Sequence, residues 1–253
     1  MTGRSTARAA ASRFQPDPAS GRVFCATRAV RTTDVTPAGR LRLDAIARYL
    51  QEAAEDDVID SGLREPAAWL LRRCTMRIDA YPHQGEEVKV RTFCSGTGPR
   101  WAERTTTLAS ASGDLIQARA IWVAMSPAGR PTELGAKFRS IYAASAEGRS
   151  VSARLSLPAP SQSLPRRPWP LRASDFDIAG HVNNAIHWSA LEDVLAGTDW
   201  LPGTAELEYR APILPGSEPA LAARHAPRHA DVWLTDGTRL LAAGRLASDE
   251  ARC

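Results

Sequence analysis

Val30-RTTDVTPAGRLRLDAIARYLQE-Ala53 can be laid over Leu171-RASDFDIAGHVNNAIHWSALED-Val194 without a gap. Arg31 meets Arg172, Asp34 meets Asp175, Ala38 meets Ala179, Gly39 meets Gly180 and Leu50 meets Leu191, all at one offset of 141 residues. A repeat of this kind constrains architecture before any local reading does. The residues within and downstream of each copy strengthen the match. Leu43, Ile46, Leu50 and Ala53 recur at helical spacing, and so do Ile186, Ala190 and Val194; each copy therefore leads into a helix with one apolar face. Strands come next. Glu87–Phe93 alternates, with Val88, Val90 and Thr92 on one face, the period of a half-buried strand. Trp101–Leu108 and Leu115–Met125 continue the pattern across a Gly113-Asp114 turn. In the second half Ala205–Arg210, Ala220–His225, Val232–Thr235 and Arg239–Ala247 come in the same order, with Asp236-Gly237 as a turn. Pro215-Gly216 takes the part of Tyr81–Gly85.

Each half thus reads as strand, turn, helix and a run of antiparallel strands. A helix with one apolar stripe needs a sheet to cover it. The expected fold class is α+β: two tandem domains, each a long helix wrapped by a curved antiparallel sheet. The expected boundaries are a disordered tail over 1–20, an N-terminal domain over 21–140, a linker over 141–170 and a C-terminal domain over 171–253. Leu157–Pro170 contains five prolines, which work against a regular element there. The linker's length implies that it crosses the surface of both domains.

The bulk numbers bound the function. A chain of 253 residues accommodates two ordinary domains. With 43% hydrophobic and 24% charged residues it reads as globular. It has no apolar run long enough for a membrane span and no apolar secretory core near Met1. The net charge of +4 is too small and dispersed to indicate nucleic acid. Basic pairs such as Arg72–Arg73 and Arg166–Arg167 are either solvated surface or a means of steering an acidic partner. Cys25, Cys74, Cys94 and Cys253 are scattered, without metal-ligand spacing, which fits reduced thiols and a cytoplasmic protein. No metal, glycine-rich phosphate loop or other cofactor is expected.

Asp175–Glu192, which carries D-x-D-x-x-G-H-V-N-N and then a Glu, and Leu207–Gly216 resemble the acyl-ACP thioesterases of the plant and bacterial fatty-acid-releasing type. Trp69–Phe93 resembles the N-terminal hotdog of the same family, and the likeness runs from about Val23 to Ala247. The motif is also similar to that of the broader 4-hydroxybenzoyl-CoA thioesterase group, whose catalytic Asp matches Asp177. The resemblance implies two tandem hotdog domains that hydrolyse fatty acyl thioesters, with acyl-carrier protein or acyl-CoA as the carrier. Three positions depart from the family pattern. Ala179 stands where Asn is usual, and Pro212 and Ile213 stand where Glu and Cys are frequent. A cysteine nucleophile at that place is excluded, which leaves the shorter set of Asp177, His181 and Asn184.

These residues suit the reaction. A carboxylate acts as general base or as nucleophile, the task expected of Asp177. His181 can orient water or share a proton. A helix starting near Asn184 would offer free N–H groups and a positive dipole end to an oxyanion. Gly180 permits a close backbone turn, and Asn183 either touches substrate or caps the helix. Ile46, Leu50 and Trp69, with Leu71 and Met76, are candidates to line the acyl path or to be ordinary core. Asp175 and Glu192 read as structural, and His187 as helix packing. Thr36 and Arg40 stand opposite Asp177 and His181, so one working site is expected rather than two. The rival readings are a non-catalytic acyl- or carrier-binding double hotdog and a hydratase, although Ala179 counts against the latter. A monomer or a homodimer is compatible with two tandem domains.

Overall fold

The computed structural model describes residues 15–248. In the first half β1 (Phe24–Ala29) leads through a 3-10 turn (Thr32–Asp34) to α1 (Leu43–Ser61), followed by β2 (Ala68–Ile78), β3 (Glu87–Thr97), β4 (Trp101–Ser110) and β5 (Gly113–Met125). The second half repeats the order: β6 (Arg167–Pro168), a 3-10 turn (Ala173–Asp175), α3 (His187–Leu195), then β7 (Thr204–Tyr209), β8 (Ala220–Ala226), β9 (His229–Asp236) and β10 (Arg239–Ala247). Between them lies α2 (Ala136–Ala146).

All ten strands join one antiparallel sheet in the order β1-β3-β4-β5-β2-β7-β10-β9-β8-β6. Reading outward from the β2–β7 seam gives the same sequence of elements in both directions, so the two halves are related by a pseudo-twofold axis. The seam runs from Arg73 opposite Glu208 to Arg77 opposite Thr204. The helices α1 and α3 pack on one another across the same axis. One continuous core holds Leu43, Ile46 and Leu50 of α1, Met76 and Ile78 of β2, Trp188 and Leu191 of α3, and Leu207 and Leu246. Gly244 belongs to this packing, because a Cβ there would lie 3.1 Å from the Leu191 side chain. Its absence lets α3 settle directly on β10.

The helical stripe anticipated from Leu43, Ile46, Leu50 and Ala53 is buried along α1. Gly62 ends this helix in the left-handed conformation (φ 67°), and its N–H donates to Ile59 O. The second helix is shorter than its copy. Asn184–Ile186 form a turn and α3 begins at His187. Over this stretch the backbone makes i→i+3 bonds, Ile186 N–H to Asn183 O and Trp188 N–H to Ala185 O, and Asn183 Oδ1 caps the turn by accepting the Ala185 N–H at 2.9 Å.

The interval 141–170 contains more structure than a linker reading implies. Residues up to 146 complete α2, whose Phe138 and Tyr142 pack with Leu63, Cys94, Ala102 and Ala124 beside the C-terminal end of α1, where the Tyr142 hydroxyl donates to Asp57 Oδ2 at 2.8 Å. The chain then crosses the back of both halves as a strap. Trp101 Nε1 donates to Val151 O, Arg73 to Ser152 O and Arg154 O, and Trp233 Nε1 to Pro158 O. Buried Glu208 accepts the N–H groups of Ser156 and Leu157. Of the segment expected as a tail, residues 1–14 lie outside the described residues, as does Cys253. Gln15 is bound through both its N–H and its carbonyl to the Gln117 amide, at 2.6 and 2.8 Å.

Candidate active site

The loops before α1 and α3 are built hydrogen bond for hydrogen bond alike. Thr36 N donates to Arg40 O as Asp177 N does to His181 O; Gly39 N donates to Thr36 O as Gly180 N does to Asp177 O. Arg42 N donates to Asp34 O as Asn183 N does to Asp175 O. Asp34 and Asp175 are both buried, and each accepts the backbone N–H three residues earlier. The structural role expected for Asp175 is therefore clear: it ties the loop to itself. Gly39 and Gly180 both have positive φ, 81° and 77°. Nothing lies within 4 Å of a Cβ built on Gly180, so its backbone angle, not a close neighbour, calls for glycine.

On this common frame the side chains differ. Asp177 Oδ1 accepts the Ala179 N–H at 2.9 Å, and its Oδ2 accepts from Asn183 Nδ2 at 3.3 Å. His181 Nδ1 lies 3.7 Å from Asp177 Oδ1, and both side chains keep partial access to solvent, 28% and 22%. Asp177 is thus oriented by its own loop with lone pairs to spare, and His181 stands beside it. Asn183 has both ends of its amide engaged within the loop, Nδ2 toward Asp177 and Oδ1 toward the Ala185 N–H. In the first half Thr36 replaces the carboxylate and its buried Oγ1 has no partner among the described residues. Arg40 replaces His181; it is buried, stacks on Tyr81 and pairs with Glu192 of α3. The other Glu192 oxygen accepts the Leu43 N–H at 3.0 Å, at the start of α1. The structural part expected of Glu192 is that of a bridge between the halves.

A narrow cavity of about 20 Å³ lies between α1 and the first-half sheet, lined by Leu50 and Gln51, Leu71 and Cys74, Arg104, Trp122, and by Asn184, Trp188 and Tyr209 of the second half. It has room for little more than one water molecule, so an acyl chain could enter only if these side chains moved apart. Of the candidates for an acyl path, Leu50 and Leu71 line it. Ile46 is fully buried in the core beneath α1 and does not. Trp69 packs on Phe138 of α2, 5.6 Å between ring centres, in a separate cluster. Burial pushes the Cys74 thiol up to about 12, which keeps it protonated and unfit as a nucleophile.

Tyr209 fixes the second-half end of the cavity. Its hydroxyl donates to Asn184 O and accepts from Trp188 Nε1, both at 3.0 Å. Burial holds its hydroxyl well above the usual tyrosine range, so it stays neutral. His187 Nδ1–H donates to Asn183 O at 3.1 Å. Burial, reinforced by nearby His181, drives its pKa down to about 4. His187 is therefore a neutral strut under the Asn183–Asn184 turn, consistent with a packing role. Gln51 and Tyr209 were not singled out from the sequence. A signal for Gln51 existed, because the constant offset places it opposite Glu192.

Comparison with known proteins settles the class. The acyl-ACP thioesterase N-terminal domain matches residues 21–134, and the acyl-ACP thioesterase C-terminal domain matches residues 160–229. The chain belongs to the acyl-ACP thioesterase family. It is a thioester hydrolase acting on fatty acyl thioesters. An uncharacterised protein of Mycobacterium tuberculosis is 29% identical to this thioesterase over 203 residues, 79% of this chain and 81% of its own length. The fold is shared with the 12:0-ACP thioesterase from Umbellularia californica (TM-score 0.76, 19% identity, 89% of this chain and 96% of that one). It is shared equally with an acyl-ACP thioesterase from Bacteroides thetaiotaomicron (TM-score 0.76, 20% identity, 89% and 97%). The tandem-hotdog expectation is thereby met. No helix among the described residues is long and apolar enough to cross a membrane.

Proposed function

We propose that this thioesterase works from one site, in its second half, and takes its acyl chain from acyl-carrier protein. The observation that carries the reading is the difference in side chains between two loops that share their backbone hydrogen bonds. One presents Asp177 and His181 with access to solvent, and the other is closed by the Arg40–Glu192 pair. The cavity supports it, since it runs from the first-half sheet to Asn184, next to the Asp177 loop. In this reading Asp177 takes a proton from water as the water oxygen adds to the thioester carbonyl carbon. The charge gathers on the carbonyl oxygen beside the Asn184 N–H, which donates no hydrogen bond among the described residues. Collapse breaks the C–S bond, and the proton returns from Asp177, by way of His181, to the departing thiolate. Water is consumed, and a fatty acid and a carrier thiol leave. The family supports acyl-carrier protein as the carrier, and exposed Arg166 and Arg167 offer positive charge to an acidic one.

Thiol release from matched acyl-ACP and acyl-CoA substrates tests this, with wild type and Asp177→Ala side by side. General-base loss lowers kcat by about 10²–10⁴ with the fold retained. A variant as active as wild type removes Asp177 from the mechanism. A preference for acyl-CoA overturns the carrier assignment alone.

A further inference from the structure

The pseudo-twofold axis relates more than the loops. At the repeat offset Arg40 corresponds to His181, Leu43 to Asn184, and Gln51 of α1 to Glu192 of α3. Glu192 reaches from the second half into the first-half loop, where it pairs with Arg40 and accepts the Leu43 N–H. The same axis brings Gln51 from the first half toward the loop that carries His181 and Asn184. Gln51 and Asn184 indeed line the same cavity.

The two arrangements differ in how far they are satisfied. In the first half, a carboxylate oxygen occupies the backbone N–H at Leu43, 3.0 Å away. In the second half, the Asn184 N–H has no partner among the described residues, and Gln51 Oε1 is buried with none either. A buried amide oxygen without a donor carries an appreciable desolvation cost, and such groups are uncommon enough to call for a reason. The silent half supplies one. It shows which kind of atom this backbone N–H receives, a negatively charged oxygen projected from the opposite helix. In the second half the opposite helix provides a neutral amide instead, so the N–H remains available to an oxygen of the substrate.

We propose that Gln51 is a substrate-positioning residue supplied by the first half to the second half's site, its amide holding the thioester group against the Asn184 N–H. This rests on the single-site reading above. Nε2 donates to the carbonyl oxygen and Oε1 accepts from the attacking water; no bond to Gln51 is made or broken. A glutamate in its place would recreate the silent arrangement, with a carboxylate on the Asn184 N–H opposing the charge that grows on the carbonyl oxygen.

The test is steady-state thiol release by full-length wild type, Gln51→Met, Gln51→Glu and Asp177→Ala between about pH 5 and pH 8, on one acyl thioester. Circular dichroism melting checks the fold of each, and Gln51→Asn stands in if the charged variant does not fold. Gln51→Met lowers kcat about tenfold or more, with KM changed much less, as expected for a lost hydrogen bond to developing charge. For Gln51→Glu, activity relative to wild type is lowest at the alkaline end and recovers as pH falls toward the carboxyl pKa near about 4.3. A packing role would lower stability without bending that ratio. The proposal is overturned if all folded Gln51 variants stay within twofold of wild-type kcat with parallel pH profiles while Asp177→Ala is inactive. If Asp177→Ala is active as well, the site reading itself has failed.

Discussion

Removing the carboxylate of Glu192 loosens the join between the two halves. Its side chain is 15% exposed and that of Arg40 only 10%, so the pair is largely shielded from solvent. Breaking a fully buried ion pair by deleting one partner costs about 3–5 kcal/mol, most of it from the charge left behind. Here the cost is smaller. Arg40 keeps a hydrogen bond to Leu41 O at 3.0 Å and its stacking on Tyr81, and residual exposure screens it. Glu192→Gln should therefore lower stability by about 2 kcal/mol. Glu192→Ala also strips the Leu43 N–H of its acceptor and the α1 N-terminus of a favourable charge, which brings the loss to about 3 kcal/mol. Urea unfolding measures both. The double variant Arg40→Met, Glu192→Leu should recover most of the loss, because an apolar pair of similar volume need not be desolvated as charges. Activity per folded molecule should stay within about twofold of wild type, as placing Glu192 outside the reacting centre requires. A Glu192→Ala loss under about 0.5 kcal/mol, or a double variant as unstable as the sum of the singles, would refute the reasoning.

Two further predictions concern the turn at Asn183–Asn184. Tyr209→Phe removes the hydroxyl that bridges Asn184 O and Trp188 Nε1, leaving the buried Trp188 Nε1 without its acceptor. It should cost about 2–3 kcal/mol in denaturation and reduce kcat severalfold as the turn loosens. His187 is buried and titrates at about 4 in the folded chain, against about 6.5 unfolded. The unfolded chain therefore takes up this proton first. The stabilising contribution is complete above about pH 6.5 and is lost as pH falls toward 4, in total about 3 kcal/mol at most. Comparing urea midpoints at pH 7 and pH 5 should show about 2 kcal/mol of acid destabilisation in wild type. His187→Phe should lack that part, and an equal pH dependence in the variant would count against the assignment.

Much of the architecture was legible because the repeat is written in backbone requirements. Asp34 and Asp175 tie their loops, Gly39 and Gly180 turn at positive φ, and neither job tolerates many residues. The strands were legible from period-two burial, as Val88 and Val90 show. The region near residue 141 was less so. The apolar residues of α2, Phe138 and Tyr142, lie next to a proline- and serine-rich run whose composition dominates the local reading. Trp69 was a candidate for the acyl path, yet the sequence did not show that Phe138 of α2 folds back to cover it. Gln51 was passed over because a polar residue on an amphipathic helix ordinarily faces solvent. Only after the halves are folded about their axis does it lie in the cavity with Asn184.

Pairing β2 to β7 within one chain takes protein concentration out of the assembly of the site. Two separate hotdog chains would have to find one another, and a mutation in their shared sequence would alter both loops at once. With the seam internal, the effective concentration of one half for the other is fixed by the strap and does not fall on dilution. Specific activity should therefore be constant down to very dilute enzyme. The same tether frees each copy to change alone: one half can close its loop with an arginine and a glutamate while the other keeps its carboxylate, and neither change is imposed on its counterpart.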